Sequence, residues 1–208
     1  MELQEALTQI SEIRQQMART EVFRGYRAVP VAFTGVMAVA AALAQSAWMP
    51  DPGQQIGAYL GLWVGTAVVG AMAAGLEMLL RSRGPGFWLR REITWLAVEQ
   101  FVPCLATGSL LTVVIVRTAP ESLWMLPGLW QILFGLGVFA SCRLLPRATF
   151  GVALFYLVAG LTTLALAKGP AALSPWAMGL PFGVGQLFAA AVLYRTLESR
   201  DDHPEAGR

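Results

Sequence analysis

The sequence predicts an all-α polytopic membrane protein with six transmembrane helices. Three observations predict it. Of its 208 residues 56% are hydrophobic and 13% are charged, about half the charged share of a soluble domain. The apolar residues gather into six runs bounded by charge or by Pro/Gly turns, each near the roughly 20 residues that cross a hydrocarbon core. Finally, of 15 basic and 13 acidic residues only Glu77 and Glu99 fall inside those runs, the partition expected where a buried charge costs several kcal/mol.

The first element, residues 1–28, is polar and amphipathic. Leu3, Ala6, Ile10, Ile13 and Met17 recur at alternating three- and four-residue spacing with Glu and Arg between them, which predicts a helix with one narrow apolar seam. It either lies on the membrane surface or pairs through residues 2–24 with a second subunit. The spans follow at Val29 to Trp48, Gly57 to Leu80, Ile93 to Val116, Ser122 to Cys142, Ala148 to Ala167 and Pro175 to Tyr194, giving a six-helix domain over 29–195. Because the first run starts behind a charged leader, it reads as a retained signal anchor. Residues 196–208, ending DDHPEAGR, read as a disordered tail.

Orientation follows from Lys and Arg. Arg14, Arg19, Arg24, Arg27, Arg81, Arg83, Arg90, Arg91, Arg143, Arg147, Arg195, Arg200 and Arg208 fall on one side of the six runs, and Arg117 and Lys168 on the other. The positive-inside rule then puts both termini in the cytoplasm, and short loops suit a bacterial inner membrane. Basic residues so distributed are topology signals, not a nucleic-acid footprint.

A faint repeat runs through the chain. Ser122, Trp124, Met125, Leu126, Pro127 and Gln131 are echoed by Ser174, Trp176, Met178, Leu180, Pro181 and Gln186, with a shorter echo at Ser46, Trp48, Met49 and Pro50. Each copy sits where an outer loop meets the membrane, so the fold reads either as three tandem two-helix hairpins or as six spans with an ordinary aromatic belt. In layout the chain resembles small six-span bacterial inner-membrane proteins of the HdeD type, an acid-resistance-associated family. It is also similar in layout to the substrate-binding components of energy-coupling-factor transporters, a resemblance that implies scaffold docking through Ala38 and Ala42 of the first span. Neither resemblance rests on a motif, and the first implies no functional residue.

Chemistry-bearing residues are few. The lone histidine, His203, lies in the tail, which excludes histidine-ligated haem or zinc and a Ser/His/Asp triad within the membrane. No glycine-rich phosphate loop is present. Cys104 and Cys142 both lie within spans, with no CxxC spacing, so neither a disulfide nor a thiolate metal site is expected. No catalytic residue, metal or cofactor is predicted.

Three features remain. Gly57, Gly61 and Gly65 in the second span, and Gly179 and Gly183 in the sixth, have the small-xxx-small spacing that lets membrane helices approach closely, within the chain or in a homo-oligomer. Glu99 and Gln100 stand beside Pro103, which withholds an N–H from the carbonyl of residue 99 and makes a polar break. Gln131 and Gln186 lie within apolar spans, where an unpaired amide costs a few kcal/mol. Were these to converge, Glu99, Gln100, Gln131 and Gln186 would form a ligand site walled by Trp95, Trp130 and Phe101. The expectation is a non-enzymatic protein that binds or passes a small or lipidic molecule, in contact with membrane lipids. The alternative is a sensor or interaction subunit that recruits a partner through its N-terminal helix.

Overall fold

The computed structural model describes residues 28–81, 87–142 and 148–198, with side chains described over 28–77, 99–142, 148–169 and 171–196. The helix expected over residues 2–24, the side chain of Trp95 and the tail from 199 onward lie outside the described residues. The described part is all helical: α1 (Ala28–Trp48), α2 (Ile56–Arg81), α3 (Phe87–Thr118), α4 (Leu126–Ser141), α5 (Thr149–Leu166) and α6 (Pro175–Leu193). A 3-10 turn, Pro120–Met125, precedes α4 and another, Gly169–Leu173, precedes α6; a π-helical turn, Tyr194–Glu198, follows α6. Six stretches are long and apolar enough to cross a membrane: Ala28–Trp48, Ile56–Glu77, Glu99–Thr118, Pro120–Ser141, Thr149–Leu166 and Pro175–Thr196. Their outward faces carry large apolar side chains along their length, among them Val36, Leu43, Met72, Leu110, Leu161 and Leu180, a surface that water does not solvate favourably.

The fourth span departs from the expected continuous helix, and proline explains how. Pro127 has no N–H for the carbonyl of Leu123 four residues back, and that carbonyl accepts from the N–H of Leu126 instead, closing a 3-10 turn. The same exchange occurs before α6. Pro175 cannot serve Ala171, whose carbonyl accepts from the N–H of Ser174 at 3.2 Å. Gly169 opens that turn at φ +62°, backbone that a Cβ would strain. The two 3-10 turns touch, and they mark one end of the bundle.

The tightest pairs are not the three tandem hairpins that the repeat suggests. α1 packs most closely on α6 and α4 on α5, while α6 meets α5 less extensively. Small residues decide this. On α6, Gly179 lies against Ala42 and Gly183 against Val39 and the Gly35 carbonyl of α1. Between α4 and α5, a Cβ on Gly128 would stand 2.8 Å from the Gly160 carbonyl, and one on Gly135 3.1 Å from the Ala153 carbonyl. Such approaches maximise dispersion contacts where lipid removes the hydrophobic drive between helices.

The glycines of α2 behave otherwise. Gly57, Gly61 and Gly65 are exposed, with nothing within 4 Å of an added Cβ. Intramolecular packing therefore uses the α6 stripe and not the α2 stripe. α2 rests mainly on α1, and α3 mainly on α4 and the turn before it, leaving α2 and α3 as flanking helices around a core of α1, α4, α5 and α6.

Candidate functional site

The buried polar groups sort into two sets, those that hold helices and those left without a partner. Gln131, fully buried on α4, belongs to the first. Its Nε2 donates to the carbonyl of Ala177 at 2.8 Å, and Thr163 of α5 donates to its Oε1 at 3.3 Å. The acceptor is not arbitrary. Pro181 lies four residues beyond Ala177 and has no N–H to offer it, so a side chain from another helix takes the place of the missing backbone donor.

Gln45 does the same from α1, also fully buried. Its Nε2 donates to the Leu173 carbonyl at 2.7 Å, and the indole Nε1 of Trp63 on α2 donates to its Oε1 at 2.8 Å. Two amides thus grip carbonyls four residues apart at the 3-10 end of α6, each steadied by a donor from a further helix. Gln45, Trp63 and Thr163 were not among the expected site residues. A lone glutamine in an otherwise apolar helix was the available signal. Replacing Gln45 with Leu strands both the indole N–H of Trp63 and the Leu173 carbonyl, and we expect a loss of about 2 kcal/mol, read as a lower melting temperature in detergent.

Gln131 and Gln186, expected to converge with Glu99 and Gln100, do not meet. Gln131 reaches Ala177, nine residues from Gln186 along α6, about 13 Å in a helix, so the two amides do not pair. The Cβ of Gln186 lies in the α1–α6 seam, 3.1 Å from where a Cβ on Gly35 would stand. Trp130 donates through Nε1 to Thr112 of α3 at 2.9 Å. Glu99 is exposed, and Gln100 is half-buried with a buried Oε1 that has no hydrogen-bond partner.

What gathers instead is a file of aromatic rings. Phe134 of α4 meets Phe101 of α3 at 5.3 Å, Tyr156 of α5 at 4.7 Å and Phe182 of α6 at 5.5 Å between centroids. Edge-on and tilted rings at these distances are attractive beyond their area. Phe101, Trp130, Phe134 and Phe182 are each only half-buried. Trp130 and Phe182 also lean on the cluster formed by Tyr59, Trp63, Ala38, Ala42, Leu173 and Met178. Through the bond of Trp130 to Thr112 and the packing of Trp130 and Phe182 on the cluster that holds Tyr59 and Trp63, these rings lie between α3 and the packed face of α2.

Among the described residues four buried side-chain atoms have no hydrogen-bond partner: the hydroxyls of Tyr59 and Tyr156, Thr149 Oγ1 and Gln100 Oε1. The Tyr156 ring lies flush on Gly185 of α6, while Tyr59, fully buried, belongs to the cluster on which Trp130 and Phe182 pack. Among the described residues no three His, Cys, Asp or Glu side chains gather to hold a metal ion. In comparison with known proteins, the chain matches no protein family, no curated protein and no solved structure.

Proposed function

We propose that this chain is a non-enzymatic inner-membrane protein that binds a small lipidic molecule against the aromatic ring file, in a cleft that opens between α2 and α3. The observation that carries this reading is the half-buried ring file Phe101–Phe134–Phe182 with Trp130, framed by two helices that each rest mainly on a single neighbour. Rings supply a large apolar contact area at low entropic cost. Flanking helices with few intramolecular contacts separate at little cost, which suits lateral entry from the bilayer. The cleft offers one buried donor, the Tyr59 hydroxyl, so the fitting ligand is an apolar molecule with a hydrogen-bond-accepting oxygen near one end. The arginine distribution supports an orientation with both termini in the cytoplasm, which places Tyr59 and the 3-10 turns toward the outer leaflet.

Tyr59→Phe tests the reading through the sign of its effect. In delipidated protein the variant loses an unsatisfied hydroxyl and should be as stable as the parent, or more so by up to about 1 kcal/mol. Upon adding total bacterial lipid extract, the parent should gain more melting temperature than the variant. Equal gains, or a variant destabilised in both conditions, would contradict the assignment.

A further inference from the structure

α3 is fastened to the bundle on one side of its proline and lightly held on the other. Beyond Pro103, Gly108 is buried against Leu133 of α4, Thr112 accepts the indole N–H of Trp130 at 2.9 Å, and Ile115 is buried. Of the four described side chains before it, Glu99 and Val102 are exposed. Phe101 makes the close contact. Its ring lies on Gly137 of α4, where a Cβ would meet ring carbons at 2.5 and 2.6 Å, and it meets Phe134 edge-on at 5.3 Å between centroids.

Two further observations bear on this arm. Pro103 stands inside α3 and has no N–H for the Glu99 carbonyl, so the helix lacks a bond at the boundary between its held and its lightly held parts. Sharp bends in helices concentrate at such places. Gln100, next to Phe101, has its Oε1 buried with no donor. A stranded acceptor disfavours the packed position of the arm, and any movement that wets Gln100 relieves it. No side-chain hydrogen bond among the described residues opposes that movement, since the one from α3 to α4, Trp130 to Thr112, lies beyond the proline.

We infer that the arm of α3 before Pro103 is a gate, which swings about the proline and draws the Phe101 ring out of its slot on Gly137. The swing bares the part of Phe134 that Phe101 touches, and so opens the ring file to the bilayer. The inference rests on the reading that the ring file binds a lipidic molecule, and it gives that molecule its way in. Gly137 serves the closed state, because only a residue without a Cβ leaves room for the ring.

The test is the distance between spin labels at Arg90→Cys, on the arm, and Ala148→Cys, exposed beside the start of α5. It is measured on the full chain with Cys104 and Cys142 replaced by Ala, in lipid nanodiscs without added ligand. Arg90 lies about 20 Å along the helix from Pro103, so a bend of about 20° there moves it by about 7 Å. We expect the parent to show a minor component longer by about that amount. The component should dominate in Gly137→Ala, whose methyl meets the Phe101 ring, and vanish in Pro103→Ala, which restores the N–H to Glu99. A label at Leu110→Cys, beyond the proline, should keep one distance to Ala148→Cys in all three. A single unchanged distance for Arg90→Cys in parent and variants would overturn the gate, as would an equal shift at Leu110. A moving arm in a protein that carries no lipid adduct would uphold the hinge and count against the ligand reading alone.

Discussion

Gly160→Ala is expected to be the most damaging single methyl in the chain. A Cβ at that position would stand 2.7 Å from the Gly128 carbonyl oxygen and 2.9 Å from the Ile132 backbone nitrogen, with the Ile132 side chain at 2.7 Å. Two of the three obstacles are backbone of the facing helix, so no rotamer change relieves them, and α4 and α5 must separate. Overpacking of this kind costs about 3 kcal/mol, a melting-temperature drop on the order of 10 °C. Separation would also shift Thr163 away from Gln131. The control is Gly61→Ala on α2, where the same methyl enters open space. There the better helix propensity of Ala should leave stability unchanged or raised by up to about 1 kcal/mol. The comparison is read by thermal unfolding in one detergent.

The second large effect concerns the proline clamp, and it is expected to reverse. Gln131→Leu leaves the Ala177 carbonyl without a donor in an apolar setting and removes the acceptor of Thr163. A stranded buried acceptor costs 1–3 kcal/mol, so we expect a loss of about 2 kcal/mol. Pro181→Ala restores a backbone N–H four residues beyond Ala177. In the double variant that N–H should satisfy the carbonyl and recover most of what Gln131→Leu lost. Additive losses in the double-mutant cycle would show that Gln131 is not standing in for the proline's missing donor.

How far the fold was legible in the sequence depends on what each residue senses locally. The six spans were legible because hydrocarbon length and the exclusion of charge act on every run independently of its neighbours. The clamp at Gln131 was half legible. A glutamine at the centre of an apolar run needs a partner, and the proline four residues past a carbonyl names that partner in principle. The choice between Pro127 and Pro181 was not legible, since it depends on which helix lies across from α4. Pro127 satisfies Leu123 by tightening its own turn, and Pro181 is left for Gln131. The repeat paired Gln131 with Gln186, whereas in the structure its counterpart is Gln45, which grips α6 from the other side. Glycine spacing was blind in the same way. The stripes on α2 and α6 look alike in sequence, and only the α6 stripe has a helix in front of it. The ring file was unreadable because its members come from four helices whose order, with α1 on α6 and α4 on α5, leaves no periodic trace.

The α2 stripe and the exposed valines beside it lie on the face of α2 that points away from Tyr59 and Trp63. α2 is held to α1 through Gln45 and Trp63, so weakening that bond should loosen the cleft without touching the α4–α5 seam.

Native mass spectrometry of the intact protein, released from mild detergent, tests the central claim most directly. We expect a lipid-sized adduct on the parent chain that falls several-fold in occupancy when Phe134 and Phe182 are both replaced by Leu. It should persist in Gly61→Ala, which alters the outer face of α2. An adduct retained at full occupancy by the Phe134→Leu, Phe182→Leu variant, or none on the parent, would contradict binding in the aromatic cleft.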